Sequence, residues 1–313
     1  MPSAPTAAQT TRCAQASRLL ADTDALDQVT VITVTYNSAH CIAGLATSLI
    51  GFNNVIVVDN DSNDDCASLA AVFLPCATIV KLQQNLGFGS ANNQGLAKVK
   101  TPFALLLNPD CEITSSSVQQ LLRTAQAYPT AAIIGPQLMG VKRQLDVNYR
   151  WPHLLWNSRG PAIHHGPACV GFICGAAMLL RMQAIEPVLG QGPHAFFDQR
   201  FFLYYEDDDL CMRLFNQQKP LIIDPCSQAI HKSRGSVRGS KPLKSEYIRG
   251  YHHVQSKLIY VNKYQGACAA LKLRRSLIWQ TPLALLARLI LPSPKHLARM
   301  WGRFIGVLYY SQV

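Results

Sequence analysis

Short apolar runs alternate with helix-like segments through the first half of the chain. From Val29 onward, the apolar runs are rich in β-branched residues, and the segments between them have the spacing of amphipathic helices. The predicted strands are Val29–Thr35, Val55–Val58, Thr78–Leu82 and Phe103–Leu107. Strands that are apolar throughout are typical of a parallel sheet with helices on both faces. The pattern therefore predicts an α/β fold with a Rossmann-like, mostly parallel sheet flanked by helices.

The second half of the chain is less regular, but the same two periodicities apply to it. A strand is predicted at Gly171–Leu180, a helix at Met182–Leu189, and a further helix over Leu210–Gln217. Another strand is predicted at Lys219–Asp224.

Composition divides the chain into three regions. Residues 1–28 are rich in Ala, Thr and Ser without lasting periodicity, and we interpret them as a flexible N-terminal tail. Residues 29–240 contain the strands and helices of the predicted α/β domain. Residues 241–313 are predicted to form a helical extension, with breaks at Pro282 and at Pro292/Pro294.

The net charge of +11 is confined to this extension. Residues 1–240 contain 17 Lys and Arg against 17 Asp and Glu, whereas residues 241–313 contain 12 against one, Glu246. Basic residues interleaved with apolar stretches are typical of amphipathic helices on an anionic surface. Because the α/β region is neutral, we expect an anionic membrane rather than nucleic acid as the partner. Alternatively, the helices pack on the α/β domain or pair two subunits in a homodimer.

Neither a spanning helix nor a leader is expected. No run reaches the about 18 uninterrupted apolar residues that a spanning helix needs. The first residues lack an apolar stretch after a basic start. We therefore expect a cytoplasmic protein that binds peripherally to the cytoplasmic face of the inner membrane.

Polar clusters follow the predicted strands at their carboxyl ends, where open α/β sheets bind ligands. Asp59 is suited to accept a hydrogen bond from a nucleobase or ribose, although Asp-Asn-Asp-Ser is also ordinary turn chemistry. The Gly87-Phe88-Gly89 loop has Asn92 where a dinucleotide fingerprint has its third glycine, which argues against a nicotinamide cofactor. The expected rim consists of Thr35-Tyr36-Asn37, Asp59-Asn60-Asp61, Asn85-Leu86-Gly87-Phe88-Gly89, and Asn108-Pro109-Asp110.

Asp110 and His231 are candidate metal ligands. Asp110 comes just past a buried strand, and a hard divalent cation on phosphates needs only one or two carboxylates in addition to phosphate oxygens and water. The alternative for Asp110 is an Asx-turn or a helix cap. His231 follows a predicted strand and is a metal ligand, a phosphate donor or a structural histidine.

Four adjacent acids, Glu206 to Asp209, begin a predicted helix. Helical spacing places Asp207 at the head of the buried stripe, and Asp209 on the outer face in reach of Arg213. Partial burial and like charges would raise the pKa of Asp207, while the helix N-terminus opposes that shift. Asp207 is therefore a candidate general base. The alternative is that all four acids complement the helix dipole.

Six segments of the chain together resemble the family 2 glycosyltransferases of the GT-A fold, especially their bacterial rhamnosyltransferase-like branch. The resemblance covers residues 29–235 and implies that residues 29–240 form a nucleotide-sugar-dependent catalytic domain. The segments are VTVITVTYNSAHCIAGLATSL, VIVVDNDSNDD, QNLGFGSANNQGL, FALLLNPDCEI, GFICGAAMLLR and FFDQRFFLYYEDDDLCMRL.

The resemblance implies a role for each candidate residue. Asn108-Pro109-Asp110 replaces the family's DxD motif, so that Asp110 is the acidic ligand of Mg²⁺ or Mn²⁺. His231 matches a histidine that completes the metal site in some relatives, and Asp207 matches the general base. The donor would be held by Thr35, Tyr36, Asn37, Asp59, Asn85, Gly87, Phe88, Asn92 and Asn108.

The implied activity is sugar transfer with inversion at the anomeric carbon. The donor is a nucleotide sugar, with dTDP-L-rhamnose as the expected one. The acceptor is a hydroxyl of a saccharide or lipid-linked acceptor in cell-surface polysaccharide synthesis. The alternative is a catalytically inactive nucleotide-sugar-binding module that has kept every loop.

Overall fold

The computed structural model describes residues 25–146, 149–150, 166–190, 192, 195–232, 235, 242–290 and 293–310. Nearly all of the predicted N-terminal tail lies outside these described residues. The strands are β1 (Val29–Thr35), β2 (Val55–Asp59), β3 (Thr78–Lys81), β4 (Phe103–Leu107), β5 (Cys111–Ile113), β6 (Ile133–Met139), β7 (Leu145–Asp146), β8 (Tyr149–Arg150), β9 (Ala168–Val170), β10 (Phe172–Ile173), β11 (Ala177–Arg181) and β12 (Leu221–His231). The α-helices are α1 (Ile42–Ser48), α2 (Cys66–Phe73), α3 (Phe88–Leu96), α4 (Ser115–Ala127), α5 (Met182–Leu189), α6 (Glu206–Asn216), α7 (Pro242–Gln265), α8 (Ala267–Ile290) and α9 (Pro294–Leu308).

The core is a mixed sheet that has ten strands within the described residues, in the order β3-β2-β1-β4-β11-β6-β12-β5, with β7 and β9 at its margins. Strands β1 to β4 pair in parallel, as their apolar pattern predicts. β11 then pairs antiparallel with β4, and Ala177 lies opposite Leu107. β11 therefore begins where β4 ends, which brings the second half of the chain to the rim. Alternate residues of β1 and β4 belong to two apolar clusters, one on each face.

Two predicted strands differ from the observed ones. Gly171–Leu180 forms β10 and β11 instead of one strand, and β10 pairs with β8 in a separate two-stranded sheet. β12 continues past Asp224, because a bulge between Asp224 and Gln228 keeps it paired with β6. His231 is therefore the last residue of a strand instead of following one.

The predicted helical extension is confirmed as α7, α8 and α9. The break at Pro294 is confirmed, because α9 begins at this residue, and Pro292 lies outside the described residues. The predicted break at Pro282 is wrong, because α8 continues through it. A proline inside a helix removes one backbone hydrogen bond, and the packing of α8 against α7 and α9 offsets that loss.

Helices α7 and α9 pack at very short distance through glycines. A Cβ atom on Gly302 would lie 2.0 Å from the carbonyl oxygen of Tyr247, and one on Gly250 would lie 2.0 Å from that of Arg299. Any side chain at either position would force the helices apart. Among the described helices, none combines the length and the apolar character needed to cross a bilayer.

Candidate active site

The carboxyl ends of β1 and β2 place two of the predicted donor residues side by side. Thr35 and Asp59 are register partners at the ends of these strands. The Thr35 hydroxyl lies 3.5 Å from Oδ1 of Asp59, and both residues are buried. Tyr36 and Asn37 follow in the turn and are half-buried. The side-chain oxygen of Asn37 accepts a hydrogen bond from the backbone N–H of Asn63, which joins the loops after β1 and β2.

Asn60, which the sequence analysis placed at the rim without a role of its own, connects two loops of the rim. Its amide group donates to Oδ1 of Asn85 at 2.9 Å, and its side-chain oxygen accepts from the backbone N–H of Leu86 at 2.8 Å. Oδ1 of Asn85 also accepts from the N–H of Gly87 at 2.9 Å. The side chains of Asn60 and Asn85 thus fix the loop that precedes α3.

This loop is also tied to the aromatic segment Phe196–Tyr205. Gly87 has a φ of +82°, and a Cβ atom there would lie 2.1 Å from the carbonyl oxygen of Phe202. The same carbonyl accepts a hydrogen bond from the N–H of Phe88 at 3.0 Å. Only glycine permits this approach, which places the ring of Phe88 at the rim.

Asn92 and its neighbour Asn93 face inward. The Asn92 amide donates to the carbonyl oxygen of Phe88, and only 1% of this residue is exposed. Asn93 holds the backbone of Phe197 through both its N–H and its carbonyl, each at 2.8 Å. Asn92 therefore lies behind the rim and supports Phe88, whereas the other predicted donor residues lie at the rim.

Asp110 and His231 come together because β5 pairs with β12. Cys111 lies opposite His231 in this antiparallel ladder, so the residue before Cys111 is near the end of β12. His231 Nε2 lies 3.7 Å from Oδ1 of Asp110. Oδ2 of Asp110 accepts a hydrogen bond from the N–H of Gly235 at 2.9 Å.

A carboxylate oxygen and an imidazole nitrogen fit a divalent cation such as Mn²⁺, which accepts both donor types. Within the described residues, no group of three or more His, Cys, Asp and Glu side chains could hold a metal ion. The remaining ligands would therefore have to be phosphate oxygens and water. That is the usual situation where a cation is held jointly by a protein and a substrate phosphate.

Asp207 is half-buried, and backbone groups orient its carboxylate. Oδ2 accepts a hydrogen bond from the N–H of Gly175 at 3.0 Å, and Oδ1 accepts one from the N–H of Asp208 at 3.0 Å. Burial raises the pKa of Asp207, although these N–H groups and the charge of Arg150 act in the opposite direction. The direction of the shift agrees with the expectation from the sequence.

The other three acids of the cluster are more buried and are held differently. Asp208 forms an ion pair with Arg150 at 2.6 Å. Glu206 is only 5% exposed, and burial and the charge of Asp207 raise its pKa well above the ordinary value. Asp207 is therefore the acid of this cluster that is least enclosed by the protein.

The predicted position of Asp209 on the outer face is wrong, although its pairing with Arg213 is confirmed at 2.9 Å. Asp209 is 0% exposed because α7 covers it. Lys263 Nζ lies 2.6 Å from Oδ1 of Asp209, and the Tyr264 hydroxyl donates to the same oxygen at 2.8 Å. A local helical pattern cannot predict that residues more than fifty positions later in the chain bury Asp209.

Arg150 is a second residue that the sequence analysis missed. It lies in the two-residue strand β8, and its guanidinium lies 3.8 Å from the ring centroid of Phe172. Its ion pair with Asp208 brings a positive charge to within reach of Asp207. An isolated arginine in an irregular stretch gives no signal of this role.

Comparison with known proteins identifies the family to which this chain belongs. A model of the glycosyl transferase family 2 domain matches residues 30–189, which is just over half of the 313 residues. The chain belongs to glycosyl transferase family 2. The predicted family is thereby confirmed.

Relatives of this family 2 glycosyltransferase agree with the resemblance. It is 24% identical to an N-acetylglucosaminyl-diphospho-decaprenol L-rhamnosyltransferase of Mycobacterium tuberculosis, over 77% of this chain and 86% of the relative. A mannosyltransferase from Pyrobaculum calidifontis, solved with GDP-Man and Mn²⁺, matches with a TM-score of 0.56 and 16% identity, over 91% of this chain and 88% of that one. GalNAc-T7, solved with UDP, GalNAc and Mn²⁺, matches with a TM-score of 0.51 and 15% identity, over 65% of this chain and 42% of that one. These structures confirm the GT-A fold.

The C-terminal helices hold the segment that leads to Asp207 in this glycosyltransferase. Tyr204 and Tyr205 both have positive φ angles, of 70° and 66°, which cost on the order of 1–3 kcal/mol per residue. The ring of His253 packs edge-on against both tyrosines, at centroid distances of 5.5 and 5.6 Å. His252 stacks on Phe202 at 4.3 Å. The strained turn at the start of α6 is therefore maintained by α7.

Replacing Lys263 by Met tests this attachment. Its Nζ bridges Asp209 and Asp198, at 2.6 and 2.7 Å. Asp209 keeps Arg213 and Tyr264 but loses one charge-assisted contact, so we expect a loss of about 1.5–3 kcal/mol in the free energy of unfolding, measured in urea. The exposed Lys98→Met control should stay within about 0.5 kcal/mol of the wild type. Equal stability of the two variants would contradict the attachment.

Proposed function

We propose that this family 2 glycosyltransferase is a metal-dependent, inverting enzyme. It moves a hexose, with L-rhamnose from dTDP-L-rhamnose as the specific proposal, to a hydroxyl of a lipid-linked saccharide. The observation that carries the proposal is the half-buried carboxylate of Asp207, which two backbone N–H groups orient at the rim where β4 and β11 meet. The L-rhamnosyltransferase relative supports the choice of sugar and acceptor.

In the proposed reaction, Asp207 is the general base. The acceptor hydroxyl oxygen attacks the anomeric carbon, its proton passes to the Asp207 carboxylate, and the bond between the anomeric carbon and the diphosphate oxygen breaks. Attack from the side opposite the diphosphate inverts the configuration of that carbon. General base catalysis of this kind contributes about 10²–10⁴-fold, and its raised pKa makes Asp207 a stronger base than an exposed aspartate.

The rim residues would hold the donor. Asp59 would accept a hydrogen bond from the nucleobase or the ribose, with Thr35 beside it. Phe88 lies next to Gly175, whose N–H orients Asp207, so its ring would border the sugar. Tyr36, Asn37, Asn85, Gly87, Asn92 and Asn108 stay predicted donor-site residues.

Asp110 and His231 would hold the cation together with the donor diphosphate. A divalent cation bound there supplies positive charge to the departing diphosphate, which therefore needs no strong acid. The N–H of Gly235 keeps Oδ2 of Asp110 in place, and β12 fixes His231 as its last residue. Mg²⁺ and Mn²⁺ both suit this donor set.

The proposed location is the cytoplasmic face of the inner membrane, where α8 meets anionic lipid. Trp279, Leu283 and Leu286 are 76%, 66% and 61% exposed, and their spacing places them on one face of α8. The basic residues Lys272 and Arg275 are exposed one to two turns earlier. Exposed apolar and basic side chains on the same helix are typical of helices that lie in the membrane interface. A homodimer stays a prediction.

Asp207→Asn tests the assignment of the base. The variant keeps the shape but cannot accept the proton, so kcat should fall about 10²–10⁴-fold while the Kd of the nucleotide sugar changes little. Released nucleoside diphosphate and calorimetry measure the two quantities, with exposed Asp65→Asn as the control. In the wild type, activity should fall with decreasing pH at a higher pH than for an ordinary aspartate, because burial raises the pKa of Asp207.

Two outcomes would contradict this assignment. If Asp207→Asn fails to bind the nucleotide sugar, Asp207 belongs to the donor site instead. If the wild-type protein binds nucleotide sugars but neither transfers nor hydrolyses them, it is an inactive binding module.

Asp110→Ala tests the metal site. We expect the folded variant to lose Mn²⁺-dependent nucleotide binding and more than about 10²-fold of its activity, because the carboxylate ligand is gone. Glu112→Gln is the matched control, since it removes a nearby exposed carboxylate that pairs with Lys232. Full activity of the wild type in EDTA would rule out the proposed metal dependence.

Trp279→Gln with Leu283→Gln tests the membrane surface. The wild type should sediment with anionic vesicles but not with neutral ones, and high salt should release it, because each basic residue near the lipid contributes about 1 kcal/mol. The double variant should bind at least about tenfold more weakly, since it loses the buried apolar area. The control is Val72→Gln with Phe73→Gln, which removes two exposed apolar side chains from α2. Equal binding of the two double variants would contradict the proposed surface.

A further inference from the structure

The four adjacent acids that begin α6 differ in how their charges are compensated. Asp209 is 0% exposed and is enclosed by the two cations described above. The Oε2 atom of Glu206 has no hydrogen-bond partner within the described residues, and burial raises the pKa of Glu206 well above the ordinary value. Glu206 therefore favours its neutral, protonated form. Asp207 and Asp208 are left as two adjacent carboxylates that repel each other.

Arg150 is the cation that lies beside these two carboxylates. Its guanidinium lies 2.6 Å from Oδ1 of Asp208, and the backbone N–H of Asp208 donates to Oδ1 of Asp207 at 3.0 Å. Burial raises the pKa of Asp207, and the N–H of Gly175 followed by the charge of Arg150 acts against that shift. Cys174, the titratable neighbour in the turn before β11, is itself a neutral thiol, because burial raises its pKa to about 12. One guanidinium therefore acts on both carboxylates.

Packing fixes the position of Arg150 relative to α6. Its guanidinium lies 3.8 Å from the ring centroid of Phe172, its register partner in the two-stranded sheet, which is a cation–π contact. The thiol of Cys211 in α6 donates to the carbonyl oxygen of Ile173 at 3.7 Å and joins this small sheet to the helix. Only 24% of the Arg150 side chain is exposed, so solvent screens its charge less than that of a surface arginine.

The donor of the proposed reaction would bring further negative charge to the same rim. The charge of its diphosphate favours the protonated form of a nearby carboxyl group. A protonated Asp207 could not accept the proton of the acceptor hydroxyl. A cation beside Asp207 opposes this effect, and the partner carboxylate of Asp208 keeps that cation from binding Asp207 in a direct ion pair.

We propose that Arg150 is a positioning residue that acts through Asp207. Together with Asp208, it sets the charge beside the proposed base so that Asp207 stays ionised while an anionic donor occupies the rim. The proposal rests on the proposed function, since it concerns the base of that enzyme. Removing Arg150 would leave Asp208 as an uncompensated like charge, whereas removing the Asp208 charge would leave Arg150 to act on Asp207 alone. The two changes should therefore shift the titration of Asp207 in opposite directions.

The test follows Asp207 in the full-length protein by ¹³C NMR with carboxyl-labelled aspartate. The Asp207 signal is the one that is absent in Asp207→Asn, and a pH titration gives its midpoint. The midpoint should rise by about half a pH unit or more in Arg150→Met, and should fall by a similar amount in Asp208→Asn. Arg150→Lys keeps the charge and should recover most of the wild-type midpoint. The control Arg123→Met removes an exposed arginine of α4 and should leave the midpoint unchanged.

The pH dependence of kcat provides a second readout. Wild-type kcat should fall with decreasing pH as Asp207 takes up a proton. This fall should begin at a higher pH in Arg150→Met and at a lower pH in Asp208→Asn, in step with the NMR midpoints. If Arg150 were only structural, its loss would lower stability in urea and would reduce kcat equally at every pH.

Three outcomes would overturn the proposal. These are an unchanged Asp207 midpoint in both variants, shifts of the same sign in both, and a shift of equal size in Arg123→Met. If circular dichroism shows that Arg150→Met does not fold, the Asp208→Asn titration decides, because its midpoint has to fall.

The proposed function is measured separately, as nucleotide-sugar hydrolysis without any acceptor, whereas the NMR titration needs no turnover. An enzyme that hydrolyses the donor in an Asp207-dependent way, but whose Arg150 and Asp208 variants titrate like the wild type, keeps its function and loses this role of Arg150. A protein in which the Asp207 midpoint shifts as expected, but which never cleaves a donor, keeps the charge arrangement and loses the proposed function.

Discussion

The antiparallel pairing of β11 with β4 is the constraint on which the site depends. The N–H of Asn108, at the end of β4, donates to the carbonyl oxygen of Ala176 at 2.9 Å. The preceding residue, Gly175, donates its own N–H to Asp207. Two consecutive residues before β11 therefore connect the turn that carries Asp110 with the carboxylate proposed as the base. If β11 ran parallel to β4, its first residues would lie beside the first residues of β4, at the other end of the strands and far from the rim.

A second dependency runs through the aromatic segment Phe196–Tyr205. Asn93 of α3 holds its beginning, and Phe88 bonds to the carbonyl of Phe202. From the other side, Ser256 of α7 donates to the carbonyl oxygen of Leu203 at 2.9 Å. The segment is thus held between the donor side of the sheet and the C-terminal helices. Contacts with α3 on one side and α7 on the other therefore determine the position of the backbone that leads to Asp207.

The sequence predicted the parts of this enzyme that depend on local pattern. β1 and β4 have the predicted bounds, and the motifs at their ends lie on one rim, because apolar runs and strand polarity determine both. The direction of β11 and the cover over Asp209 depend on contacts between distant segments, and no periodicity encodes them. Arg150 and the role of Asn60 were missed for the same reason, since the partners of both residues are apparent only in the folded chain.

The net charge of the chain changes near residue 240, but the packing does not divide there, because α7 contacts the aromatic segment Phe196–Tyr205. His253 of α7 packs on Tyr204 and Tyr205, which both have a left-handed conformation, so the extension supports the body of the domain. Because the aromatic segment and α7 are in contact, we expect substitutions in one to be accompanied by substitutions in the other. A chimera between relatives should therefore take Phe196–Tyr205 and α7 from the same parent.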